Sequence, residues 1–116
     1  MTPDDLYHQL DMDDSTLEGL AKHGDDPSQS HAVEHHFIAP SPEPLRNLEA
    51  LGPKLGLTPS AIQDNEWEGK VYFSIDLVSA TALSPASVYR ESLLMNFLGE
   101  SFAATYDGWG TLVRKK

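Results

Sequence analysis

Three stretches of this chain hold side chains that could do chemistry. Val33-Glu34-His35-His36-Phe37 sets a carboxylate beside two imidazoles. Lys70–Ala80 carries Asp76 within an otherwise apolar alternation, and Tyr106-Asp107-Gly108-Trp109-Gly110-Thr111 packs a carboxylate, two glycines and a tryptophan into six positions. A histidine held by a carboxylate can pass protons, and a Glu/His set can ligate a metal. The spacing argues against the metal. Neighbours on a strand point to opposite faces, so His35 and His36 cannot turn to one ion. Glu34 and His36 can share a face, but no further histidine stands at ligand spacing from them. No nucleophile elbow, phosphate-binding loop or HExxH helix accompanies them. His36, Asp76 and Asp107 are the residues from which a small hydrolase or metal-binding domain would be built, and that is the alternative reading. Asp107-Gly108 reads as a tight turn, because glycine takes positive φ at little cost. Gly110 lets the backbone bend, and Trp109 fills the space beside it.

The elements that position these residues follow from periodicity. Thr2-Pro3 opens a helix with Leu6 and Leu10 one turn apart. Met12–Leu20 interrupts it, and Ser15 with Glu18 has the spacing of a second helix start. Leu17, Leu20 and Ala21 continue the apolar stripe, Gly24 stops it, and Gly24–Ser30 is a polar loop. His31–Ala39 alternates as a strand, with Val33, His35 and Phe37 on one face and Ala32, Glu34, His36 and Ile38 on the other. Ser41-Pro42 starts a helix striped by Leu45, Leu48, Leu51 and Leu55, which Gly52-Pro53 kinks or ends and Gly56 stops. Ala61–Trp67 is a weak strand. Val71, Phe73, Ile75 and Leu77 line one side of the clearest strand in the chain. Ser84-Pro85 starts a last helix, striped by Ala86, Tyr89, Leu93 and Phe97, widened by Leu94 and Leu98, and ended by Gly99. A strand then begins at Ser101. This order predicts an α+β fold, a ferredoxin-like βαββαβ sandwich with two helices on one sheet face. Residues 1–23 form an acidic helical segment flanking or packed on a domain of residues 24–116. On the uncovered sheet face Glu34, His36, Tyr72, Ser74 and Asp76, with Thr105 and Asp107, would gather as a polar patch. Such a face is ordinarily just solvated, and a domain that self-associates through it is a third reading.

Composition narrows the functional classes. Among 116 residues there is no cysteine, which excludes disulfides, thiolate metal sites and cysteine nucleophiles. Formal net charge is −10 with eight Lys and Arg in all, three of them at positions 114–116. Direct nucleic-acid binding needs clustered cations and is not expected. An acidic surface suits a basic protein partner. Residues 1–29 hold eight carboxylates and one lysine, so the acidity is concentrated there. No signal peptide and no membrane-spanning run is read, and a soluble, cytoplasmic protein is expected.

Taken together, the Gly24-Asp25-Asp26-Pro27 loop, the Glu34-His35-His36 strand and Tyr106–Thr111 resemble the regulator of ribonuclease activity B family of small bacterial ribonuclease E inhibitors. Lys54-Leu55-Gly56 and Ile75–Ser79 are similar in position and character, so the resemblance runs from about Leu17 to Thr111. It implies a variation on the ferredoxin-like fold, a non-catalytic role without cofactor or metal, and contact with the non-catalytic, scaffold-forming region of ribonuclease E or a similar basic protein. Family members often end in a long acidic tail, whereas Arg114-Lys115-Lys116 stand here and the acidity sits at the N-terminus. On this reading Glu34, His35, His36, Asp107, Gly108, Trp109 and Gly110 form one cluster, as packing support or as contact surface, with support favoured.

Overall fold

The structure, a computed structural model, describes residues 1–116. Helix α1 runs unbroken from Pro3 to Lys22. Its start is a capping box: the Thr2 hydroxyl accepts from the Asp5 amide at 3.2 Å, and the Asp5 carboxylate accepts from the Thr2 amide at 3.0 Å. Those hydrogen bonds hold the Asp5 carboxyl below its usual range. The interruption expected across Met12–Leu20 does not occur. The middle of the helix is held from outside, by a seam of polar contacts to the last helix described below. Gly24, at φ +82°, turns the chain out of the helix.

The remaining elements are β1 (His31–Ala39), α2 (Glu43–Leu51) with a 3₁₀ turn over Gly52–Leu55, β2 (Thr58–Pro59), β3 (Gln63–Trp67), β4 (Lys70–Thr81), α3 (Pro85–Phe102) and β5 (Thr105–Gly110). The protein is α+β. Its five strands form one sheet in the order β2-β4-β1-β5, with β3 also on β4, and every pairing is antiparallel. β2 meets β4 at Leu77 and Val78, and β3 meets it from Lys70 to Ser74. The strand expected over Ala61–Trp67 forms as β3, beginning at Gln63, and the short β2 just before it pairs along the same edge of β4. The strand–helix–strand–strand–helix–strand order otherwise stands. At α2 no side chain caps the start, which falls at Pro42 rather than at Ser41.

α2 and α3 cover one sheet face. Phe37, Ile75 and Leu77 pack there against Leu45 and Leu48 of α2 and Met95 and Leu98 of α3. Each such side chain contributes about 1.5–3 kcal/mol on leaving water. A smaller cluster of Val33, Leu83 and Val88 is closed by Leu17 and Leu20 of α1 and by Trp109.

Two expectations about α3 are overturned. Gly99 does not end the helix. It lies where the returning chain crosses the helix, and a Cβ there would come within 3.0 Å of the Ala104 carbonyl oxygen. The stop is Ala103, in the left-handed region at φ +59°, and the strand begins at Thr105 rather than Ser101. The buried face is also turned. It carries Val88, Ser92, Met95, Leu98 and Gly99, while Phe97 is exposed, because α1 packs against the side that Ser92 and Asn96 present. No helix is long and apolar enough to cross a membrane.

Candidate functional site

Strand β1 is the spine of the candidate site, and its pleat decides what each residue can do. His31, Val33, His35, Phe37 and Ala39 are buried; Ala32 and Glu34 are exposed, with His36 and Ile38 between. His35 and His36 therefore occupy opposite sides of the sheet, as the alternation requires.

β5 supplies the other half. Asp107-Gly108 is not a hairpin turn. It is a bulge inside β5, placed where the register against β1 shifts between His35 and Phe37. Tyr106 pairs with Phe37 and Trp109 with His35, so two residues of β5 lie across from His36. Gly108 takes φ +90° there. The extra residue brings Tyr106 and Trp109, three apart in sequence, to the same helix-covered face. Regular alternation would have separated them.

On that face His35 is 1% exposed. Its Nε2 lies 2.5 Å from Glu91 Oε1 and its Nδ1 lies 2.8 Å from the Tyr106 hydroxyl. Ser79 donates to the same Glu91 oxygen. Burial pushes the Glu91 carboxyl up, but the hydrogen bonds from His35 and Ser79 outweigh it and hold the group below its ordinary range. Burial, with the Asp13 and Glu91 carboxylates nearby, pushes the Tyr106 hydroxyl far up, so it stays protonated. The Glu91 carboxylate accepts from His35 Nε2, and Nδ1 shares the second hydrogen bond with the Tyr106 hydroxyl.

Beside this triad runs the polar seam between α1 and α3. Asp13 is fully buried and accepts from the Trp109 indole at 2.9 Å, from Gln9 at 2.9 Å and from the Ser92 hydroxyl. Asn96 donates to Gln9 at 2.9 Å. No buried side-chain polar atom is left without a partner. Sequence reasoning missed this seam, although Gln9 and Asp13, and likewise Ser92 and Asn96, are spaced one helical turn apart. It missed a second buried pair as well. His31 reaches Asp25 through Nε2 at 2.7 Å and donates from Nδ1 to the Gln29 carbonyl at 2.7 Å. Asp25 also accepts from the Arg114 amide at 2.8 Å, which ties the C-terminal residues to the loop after α1.

The other side of the sheet has no helix over it. His36 Nδ1 lies 2.6 Å from Asp76 Oδ1, with the two side chains 39% and 36% exposed. Asn65 donates to the Ser74 hydroxyl at 2.9 Å. Glu34 is exposed opposite Gly110, and the His36 ring passes over Gly110, where a Cβ would meet Nε2 at 3.8 Å. Asp107 is exposed at the sheet edge. The seven motif residues thus lie on two neighbouring strands but divide by face. His35 and Trp109 belong to the interior, Glu34, His36 and Asp107 to the surface, Gly108 takes the positive φ of the bulge, and Gly110 lies beside the His36 ring. Nowhere do three His, Asp or Glu side chains converge as metal ligands.

Comparison with known proteins gives a family. The profile of the family described as regulator of ribonuclease activity B matches residues 10–111. A regulator of ribonuclease activity B from Haemophilus ducreyi is 32% identical over 108 residues, covering 92% of this chain and 76% of that protein. One from Psychromonas ingrahamii is 25% identical over 96 residues, covering 82% of this chain and 79% of its own. The chain belongs to the regulator of ribonuclease activity B family.

Proposed function

We propose that this member of the family acts by protein contact rather than catalysis, binding the non-catalytic region of ribonuclease E, or a similarly basic protein, in the cytoplasm and so altering RNA decay. The observation that carries the reading is the family match over residues 10–111, joined to a formal net charge of −10. The chemistry-bearing groups agree with it. The His35–Glu91–Tyr106 set is sealed beneath helices, where its hydrogen bonds hold strands to α3, and the His36–Asp76 pair lies on an open sheet face. The motif residues His35, Gly108 and Trp109 support the fold, while Glu34, His36 and Asp107 are available for contact.

Calorimetric titration against the non-catalytic half of the host's ribonuclease E, at low and at high salt, tests the proposal. Binding at micromolar strength or tighter that weakens as salt rises is expected, since exposed charge pairs are screened. No heat at either salt would remove that partner.

A further inference from the structure

The uncovered sheet face ends, on one side, in an apolar hollow of about 520 Å³ lined by Ile38, Pro40, Trp67, Val71, Tyr72 and Thr105, with Lys70 and Asp107 at its rim. Two of these side chains are far more exposed than their chemistry favours: Trp67 at 70% and Val71 at 56%. Trp67 is held there by construction. Glu68 and Gly69 form a two-residue hairpin turn, both at positive φ (50° and 78°), and fix Trp67 opposite Lys70. An exposed tryptophan with a half-buried tyrosine around a concavity is the kind of side-chain set in which protein-binding surfaces are enriched.

A second hollow, of about 320 Å³, lies across the edge strand β5 and shares Asp107 with the first. Its lining is acidic, with Asp5 and Glu100 joining Asp107, opposed by His8 and by the Met1 amine, which pairs with Glu100 at 3.2 Å. Asp107 therefore stands between an aromatic depression and a group of carboxylates.

From this we infer that the Trp67 end of the open face is a docking surface for an extended, basic peptide segment, which seats an apolar side chain between Ile38, Trp67 and Tyr72 and lays its cationic residues along Asp107 toward Asp5 and Glu100. The inference rests on the contact reading above and names the surface that performs it. Charge selects the occupant. A second copy of this chain would bring a further net charge of −10 and be repelled, whereas a cationic segment meets Asp107, Asp5 and Glu100 against only Lys70, His8 and the Met1 amine. The exposed side of α1 is a poorer candidate despite its acidity. Outside the hollow, two of its carboxylates are already engaged: Asp13 is buried under Ser92 and Trp109, and Asp14 accepts from Tyr89.

Backbone amide shifts of the isotope-labelled full chain test this, with two titrants: a short arginine-rich peptide holding one central phenylalanine, and the non-catalytic region of ribonuclease E. The expected result is saturable shifts at Ile38, Trp67, Tyr72, Thr105 and Asp107 with the peptide, and affinity about tenfold weaker in Trp67→Ala. That variant removes an exposed ring and leaves the core untouched. Peptide shifts confined to α1, or an unchanged affinity in Trp67→Ala, would overturn the inference. So would shifts at the hollow that grow with protein concentration alone, since the occupant would then be a second copy. If the ribonuclease region binds but moves only other residues, the docking surface falls and the partner stands. If the peptide fills the hollow and the ribonuclease region does not bind, the partner falls and the surface stands. If neither binds, both fall.

Discussion

His35 and His36 are bonded neighbours with the same side chain, and the molecule treats them in opposite ways. His35 is sealed, both ring nitrogens committed, and it ties β1 to β5 through Tyr106 and to α3 through Glu91. His36 holds one carboxylate on an open face and leaves its ring more than a third exposed. The difference comes from the strand pleat alone. Sharing a motif is therefore no evidence of sharing a role: one histidine belongs to folding and its neighbour to the surface.

The largest effect that would sharpen this contrast is expected at Trp109. Trp109→Ala removes the ring that closes the Val33–Leu83–Val88 cluster and deprives buried Asp13 of a donor. A loss of about 3 kcal/mol of unfolding free energy is expected from denaturant titration. A loss under about 1 kcal/mol would make Trp109 a surface anchor instead.

Next comes Glu91. Glu91→Gln replaces a carboxylate that takes hydrogen bonds from His35 and Ser79, and a loss of about 2 kcal/mol at neutral pH is expected. The pH dependence has a definite sign. The folded-state pKa of Glu91 is depressed, so its contribution is fully present above the ordinary glutamate pKa and disappears as pH falls through the lower folded value. Asp25 acts in the same window. Burial raises its pKa, but the Arg114 amide and His31 more than offset this and leave it depressed. Stability measured from neutral pH into the acid should fall below about pH 4, and Glu91→Gln should fall less steeply. Equal slopes would mean that Glu91 is not ionised in its buried setting.

A smaller loss is expected at the bulge. Gly108→Ala forces a side chain into φ +90° at no steric contact, for about 1 kcal/mol. No change in thermal unfolding would show that the bulge relaxes freely. The smallest effect is expected at Asp76→Asn, within about 0.5 kcal/mol, because the His36 contact it alters is more than a third exposed to water.

How far this was legible in the sequence depends on what each residue answers to. β1 from His31 to Ala39 and the long β4 were readable because a half-covered strand must alternate, and the opposite facing of His35 and His36 follows directly. The uncovered patch of Glu34, His36, Tyr72, Ser74 and Asp76 was readable for the same reason. What failed was decided by distant partners. Met12–Leu20 read as an interruption, yet Ser92 and Trp109, far along the chain, satisfy Asp13 inside an unbroken α1. Gly99 looked like a helix stop, yet it serves the close crossing at Ala104, and Ala103 takes the left-handed position without any residue signal. Asp107-Gly108 carries the same letters as a hairpin turn. Only the pairing of β5 with β1 shows that the extra residue is absorbed inside a strand.

Unfolding free energies of His35→Ala and His36→Ala, measured side by side at neutral pH, test the central claim most directly. The account predicts a loss of about 3 kcal/mol for His35→Ala, which strands Glu91 and Tyr106 in the interior, and under about 0.5 kcal/mol for His36→Ala. Equal losses in the two variants would contradict it.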